Sequence, residues 1–162
     1  MGRRKWGSTS TILAATTALL AVSAASARGV TSVASGIAGV QQHFPAGLLD
    51  WSSGGCGPGI DFCATLDFCR DGGDYGYALP GHACQAFNGP TIRLSAGNRY
   101  RLTLRNASGR TTNLHTHGLH VVGAGDSDDV TRSVAHGDCL DYVWDIARDH
   151  PGGTNWYHPH HH

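Results

Sequence analysis

Two histidine pairs constrain this chain more than anything else in it. The first lies in Asn113-Leu114-His115-Thr116-His117-Gly118-Leu119-His120. The second lies in Trp156-Tyr157-His158-Pro159-His160, followed by His161 and His162. Each pair is His-x-His. On an extended strand, side chains two apart share a face. Their Cα atoms are then roughly 6.5–7 Å apart, at about 3.3 Å per residue. Two imidazoles so spaced can grip one metal ion or two neighbouring ones, and imidazole suits zinc, copper, iron and nickel. The pattern asks for strands, and it asks for a metal. A lone histidine in a strand is ordinarily a satisfied polar residue, and His43, His82, His136 and His150, isolated near turns, are read that way. Two independent pairs are much harder to read so.

Residues 1–27 read as a secretory signal peptide. Arg3, Arg4 and Lys5 form a basic start, Ile12 to Val22 is a short apolar run, and Ala25-Ser26-Ala27 is a small-residue cleavage site. The run is too short to span a bilayer, which takes about 20 residues, and nothing later is apolar enough, so no membrane span is expected after cleavage. The expected location is secreted, either extracellular or periplasmic. The chain carries 12 basic and 12 acidic residues. Three of the basic ones lie in the signal, leaving nine against twelve. A slightly acidic domain without a basic stripe argues against a nucleic-acid partner.

All five cysteines, Cys56, Cys63, Cys69, Cys84 and Cys139, follow the signal. An oxidising compartment makes disulfides the default. The first four can pair in three ways, and sequence does not choose among them. Cys139 is left over. No C-x-x-C pair occurs, which disfavours a zinc site there. Residues 28–50 are small and polar and read as a flexible leader, with a short strand or turn near Val40 to Phe44. Residues 51–85 are rich in glycine and cysteine and read as a disulfide-stapled loop insertion without a core of its own.

From Phe87 onward the pattern sharpens. Asn88-Gly89-Pro90 is a turn signal, and Thr91 to Leu94 is a short strand. Arg99 to Asn106 alternates, with Tyr100, Leu102 and Leu104 on one side and Arg99, Arg101, Thr103 and Arg105 on the solvated other. Further strands are expected over Thr112 to Val122, Leu140 to Ile146 and Thr154 to His160, with Pro159 ending or bulging the last. Asp126, Asp128 and Asp129 lie on an acidic loop, read as solvated, with support of a metal ligand as the alternative. Short strands, frequent turns and no convincing helix after the signal predict an all-β fold, an antiparallel sandwich or barrel.

The histidine ligands alone leave clustered copper or three-histidine zinc open. A blue-copper site would need a cysteine with a nearby histidine, often with an axial methionine. Cys139 has no histidine closely following it, and the one methionine is Met1. A zinc hydrolase would want a carboxylate acid or base beside the metal, and no H-E-x-x-H helix occurs.

Three segments together are specific. Asn88-Gly89-Pro90-Thr91-Ile92, then the first histidine motif, then Asp149-His150-Pro151-Gly152-Gly153-Thr154-Asn155-Trp156-Tyr157-His158-Pro159-His160 resemble the N-terminal domain of multicopper oxidases, the laccase-like group. The resemblance covers residues 86–162. It implies a cupredoxin-like Greek-key β-sandwich and a partial copper-binding domain. It also implies a trinuclear cluster held by eight histidines, of which His115 would bind the type 2 copper and His117, His158 and His160 the type 3 pair. In that family, phenols, amines or metal ions are oxidised at a blue copper and dioxygen is reduced to water at the cluster. This sequence reaches His162 directly after the second motif, without the other four ligands or the blue-copper motif. The expectation is therefore a piece truncated there, its sandwich incomplete at the C-terminus and inactive alone, working with a missing C-terminal cupredoxin domain or a partner chain. The partners so implied are dioxygen and a small reducing substrate. The competing reading is a non-enzymatic copper-binding cupredoxin-like module.

Overall fold

The structure is a computed structural model that describes residues 9–14 and 47–161. Among the described residues there are eight strands and no helix: β1 (Thr9–Ala14), β2 (Phe62–Asp71), β3 (Asp74–Ala78), β4 (Ile92–Ser95), β5 (Arg99–Asn106), β6 (His115–His117), β7 (Cys139–Asp145) and β8 (Gly153–His158). They form two four-stranded sheets, ordered β4-β1-β8-β6 and β3-β2-β5-β7. One core is shared between the sheets. Ile92, Leu94 and Tyr157 of the first sheet pack in one cluster with Leu66, Phe68, Tyr77, Leu102, Leu104, Tyr142 and Trp144 of the second. Tyr77 and Tyr157 meet edge-on across the sandwich with ring centroids 5.0 Å apart.

β5 shows why these residues make a strand. Tyr100, Leu102 and Leu104 are buried while Arg99 and Arg105 are exposed, the period-two alternation of a sheet with one face in the core. Burying each such leucine stabilises the fold by about 1.5–3 kcal/mol. On the outer face Arg105 forms a two-pronged ion pair with Asp67 of β2, at 2.6 and 2.7 Å. That pair is solvated, so it contributes at most about 1 kcal/mol. The turn from β4 to β5 needs Gly97, whose φ of 81° favours glycine; its N–H donates to the Ile146 carbonyl at 2.7 Å.

Three expectations are corrected. The segment 51–85 is not a loop insertion. It contributes β2, the ten-residue strand at the centre of the second sheet, and β3 at its edge. Glycine content hid this. The glycines sit in the turns, at 72 and 73 between the two strands, or at Gly76, where a Cβ would lie 2.1 Å from the Gln85 carbonyl oxygen. The strand residues themselves bury Leu66, Phe68, Tyr77 and Ala78 in the common core. The disulfides do staple it, as Cys56–Cys63 and Cys69–Cys84. Cys139 is free and exposed. The sheets are also mixed rather than antiparallel throughout, because β2 runs parallel to β5 and β1 parallel to β8. Finally, the strand expected over 112–122 shrinks to His115–His117. Positive φ at Gly118 turns the chain away immediately after it.

β1 lies within the segment read as a signal peptide, paired with β4 on one side and β8 on the other. The rest of that segment, and the strand or turn expected near 40–44, lie outside the described residues.

Burial sets one pH limit on this core. It pushes the Tyr142 phenol up from 10.0 to about 12, and Tyr77 and Tyr157 upward as well. In the unfolded chain these phenols ionise from about pH 10. Their raised folded values mean that the stabilisation is complete below pH 10 and is lost as pH rises through 12. For Tyr142 the loss is about 2–3 kcal/mol. Urea midpoints measured from pH 9 to 12 are expected to fall, and Tyr142→Phe should flatten the fall.

Candidate metal centre

The strand pair β6–β8 assembles the site. The register sets His115 opposite His158, Thr116 opposite Tyr157 and His117 opposite Trp156. Paired residues share a face, so Thr116 and Tyr157, both buried, point into the core. His115, His117, His158 and Trp156 share the opposite face. Ligand nitrogens of His115, His117 and His158 come within 4.8 Å of one another. The His160 ring sits 5.5 Å from the His115 ring and 6.2 Å from that of His158, centroid to centroid. All four histidines singled out in the sequence thus converge. The Trp156 indole stacks on His158 at 4.1 Å and on His117 at 5.0 Å. It braces two of the imidazoles from the side.

Each ring is held by something specific. His158 Nδ1 lies 2.8 Å from the carbonyl oxygen of Pro159, so it carries the proton and donates it there. Its Nε2 is buried without a hydrogen-bond partner. An orphaned buried acceptor is costly, and here it faces the other imidazoles. Burial, with the neighbouring His115, His117 and His160 in support, holds the His158 pKa below its ordinary value against the opposing Pro159 hydrogen bond. A neutral imidazole is the form that ligates metal.

Asp128 was read as part of a solvated loop, and that is corrected. It is 6% exposed. β6 is the edge strand of its sheet, and Asp128 covers that edge. Its carboxylate accepts the Thr116 N–H at 3.1 and 3.2 Å and the Thr116 hydroxyl at 2.7 Å. One of its oxygens lies 3.0 Å from His115 Nδ1. That is within ion-pair reach, but no well-directed hydrogen bond forms, and His115 Nδ1 has no other partner among the described residues. Carboxylates beside ligating histidines fix ring orientation and raise basicity. Asp129 is half-exposed and ties down its own loop through Thr131 and Gly125.

Asn113 is the residue that sequence reasoning quoted but gave no role. Fully buried, it accepts the backbone N–H groups of His160 and His161 at 2.7 and 2.8 Å on one side-chain oxygen. Its amide donates to the Val130 carbonyl at 3.0 Å. One side chain therefore fastens the second histidine motif to the first. The signal was its place two residues before His115, just outside β6. Beneath it, Leu114 N–H donates to the Tyr142 hydroxyl at 2.8 Å and the Tyr157 hydroxyl to the Pro90 carbonyl at 2.8 Å. The isolated histidines do other work. The buried His150 accepts the His120 N–H at 3.1 Å, and His136 accepts that of Gly109 at 3.1 Å. His82 is exposed, and His43 lies outside the described residues.

The donor set suits a metal of imidazole preference: three clustered nitrogens, one demonstrably bare and buried, with a carboxylate behind. Residues 83–162 match the family model for multicopper oxidases. Over those residues the chain belongs to the multicopper oxidase family. Among solved structures, a multicopper oxidase from Campylobacter jejuni described as a metallo-oxidase is similar at 24% identity and a TM-score of 0.49, covering 75% of this chain and 25% of that one. A multi-copper oxidase from Pediococcus acidilactici is similar at 18% identity and a TM-score of 0.44, over 74% and 30% of the two chains. A laccase from the same species gives 17% and 0.42, with the same coverage. The chain thus spans a quarter to a third of the length of these structures. No curated protein sequence matches it. The multicopper oxidase family implies copper, and the all-β sandwich is the cupredoxin-like fold expected of that family.

Proposed function

We propose that this chain supplies half of the histidine ligands of a trinuclear copper cluster in a secreted multicopper oxidase. The observation that carries the reading is the convergence of His115, His117 and His158 on one face of β6–β8, with the buried Nε2 of His158 left bare. By motif, His115 belongs to the type 2 copper and His117, His158 and His160 to the type 3 pair. Copper held there would supply one-electron redox chemistry for the reduction of dioxygen to water, with electrons from a phenol, amine or metal ion. What this chain's residues do is position and insulate. Pro159 and Trp156 fix the His158 ring, Asp128 sits behind His115, and Asn113 sets the distance between the two motifs. Among the described residues Asp128 is also the one buried carboxylate beside the ligands, an oxygen lying 3.0 Å from the ring nitrogen of His115.

A second reading, a copper-binding module without turnover, rests on Cys139. It lies on β7, in the other sheet from the histidines, so no blue-copper centre forms from the described residues. The electron-accepting site must then come from elsewhere in the protein. The test is dioxygen consumption. Residues 1–162 loaded with copper should bind it without oxidising a phenol, while the native protein should do both. Turnover by 1–162 alone would overturn the half-cluster reading. Secretion is checked separately: the mature N-terminus should be Arg28.

A further inference from the structure

β6 is three residues long and lies at the edge of its sheet, so few ladder bonds tie it to β8. The site depends on their register. A slip of two residues would keep His117 on the same face but carry it about 6.5–7 Å along β8, away from its place opposite Trp156. That exceeds the 4.8 Å within which the ligand nitrogens of His115, His117 and His158 lie. Asn113 holds one end of the strand pair, where its side chain accepts the N–H groups of His160 and His161. The other end is where β6 stops at His117 and β8 begins at Gly153.

A histidine spans that end. The buried His150, in the turn before β8, accepts the His120 N–H on its Nε2 at 3.1 Å. Its Nδ1 lies 2.8 Å from the Pro151 carbonyl oxygen. A backbone N–H only donates and a carbonyl oxygen only accepts, so Nε2 carries no proton and Nδ1 carries one. The ring is the neutral Nδ1–H tautomer. Its own backbone N–H donates to the Ala147 carbonyl at 3.1 Å, and its ring centroid stands 5.3 Å from that of His120. The turn it holds runs close against β8. Gly118 has a φ of 86°, and a Cβ there would lie 2.8 Å from the Asn155 side-chain oxygen.

We propose that His150 is a positioning residue of the metal centre. It clasps the turn after the first ligand motif to the turn before the second, and so sets His117 against His158 and Trp156. The proposal rests on the reading of His115, His117 and His158 as copper ligands. His150 is not one of the clustered ligands. It acts through the backbone of His120, three residues beyond His117. Asn113 and His150 then pin the strand pair at opposite ends, and the short ladder between them keeps one register.

Two substitutions separate the contacts of the ring. His150→Gln carries an amide oxygen to the place of Nε2 and keeps an acceptor for His120. His150→Asn ends at the place of Nδ1 and keeps only the Pro151 contact. Each full chain is titrated with copper(II) alone, with amide hydrogen exchange and the electron paramagnetic resonance of the bound copper(II) recorded beside it. In His150→Asn, exchange at His120 should accelerate and copper affinity should fall roughly tenfold, the lower end of what losing an outer-shell partner costs. The resonance should change shape. His150→Gln should restore all three. If His150→Asn exchanges fast at His120 yet keeps the affinity and resonance of the unsubstituted chain, His150 holds a turn and nothing more, and the proposal is overturned. Equal losses in both variants overturn it as well, because the bond to His120 would not be the cause. His120→Pro removes the donated N–H and leaves His150 in place, so the proposal does not hang on His150→Asn folding; unchanged copper binding by it is a third contrary result. An unsubstituted chain that binds no copper would instead sink the ligand reading, and the positioning role with it.

Discussion

Replacing Asp128 with alanine is expected to destabilise the domain by about 3–5 kcal/mol and to weaken copper binding by roughly 10–100-fold. The stability loss comes from β6, not from the metal. Thr116 is buried, and both its N–H and its hydroxyl end on this carboxylate. Alanine leaves two buried donors without an acceptor, and each orphan costs about 1–3 kcal/mol. The affinity loss comes through His115, whose ring nitrogen faces the same carboxylate at 3.0 Å. Asp128→Asn separates the two roles. Its amide keeps an acceptor for Thr116, so most of the stability should return, while the charge beside His115 is gone and the copper affinity should stay low. Urea unfolding and a competitive copper titration on both variants measure this. Equal recovery of stability and affinity in Asp128→Asn would show that the charge has no part in ligation.

The second large effect is expected at Asn113. Asn113→Ala removes the acceptor of two backbone N–H groups and the donor to Val130. At a fully buried position that amounts to about 3–4 kcal/mol. Its signature should be local. β8 ends at His158, and Pro159 offers no N–H to continue the ladder. The backbone of His160 and His161 is therefore fastened to the first motif by this side chain. Without it, hydrogen exchange at 160–161 should rise to that of an open terminus, while β5 and β7 stay protected. Copper affinity should fall because His160 is no longer held near His115 and His158. Asn113→Asp keeps the acceptor but puts a buried carboxyl where the Val130 donor was; it should retain the slow exchange at 160–161 at a cost in stability.

The sequence made the histidines legible because spacing two on a strand is a strong, local signal. Both pairs, and their meeting in space, follow from strands of matching register. Strand β5 was legible for the same reason, with its alternation of Tyr100, Leu102 and Leu104 against charged neighbours. What local pattern does not carry is partner choice. Asp128 sits twelve residues from Thr116 in a stretch of acidic and small residues that reads as solvated, and only the fold lays that stretch along the free edge of β6. β2 was missed because composition was averaged over 51–85. The glycines belong to turns and to the Gly76 contact, while Phe62 to Asp71, which carries Cys63 and Cys69, is a continuous strand. Its parallel pairing with β5 is non-local and leaves no mark on either segment alone.

The central claim, that His115, His117 and His158 serve one copper cluster, is tested most directly by copper K-edge X-ray absorption on the copper-loaded chain. The spectrum should show multiple scattering from imidazole ligands, at the roughly 2.0 Å typical of metal–imidazole nitrogen bonds. It should lose that scattering in the variant His115→Ala, His117→Ala, His158→Ala, with His160, His161 and His162 intact. A spectrum that this triple substitution leaves unchanged would place the copper elsewhere and contradict the account.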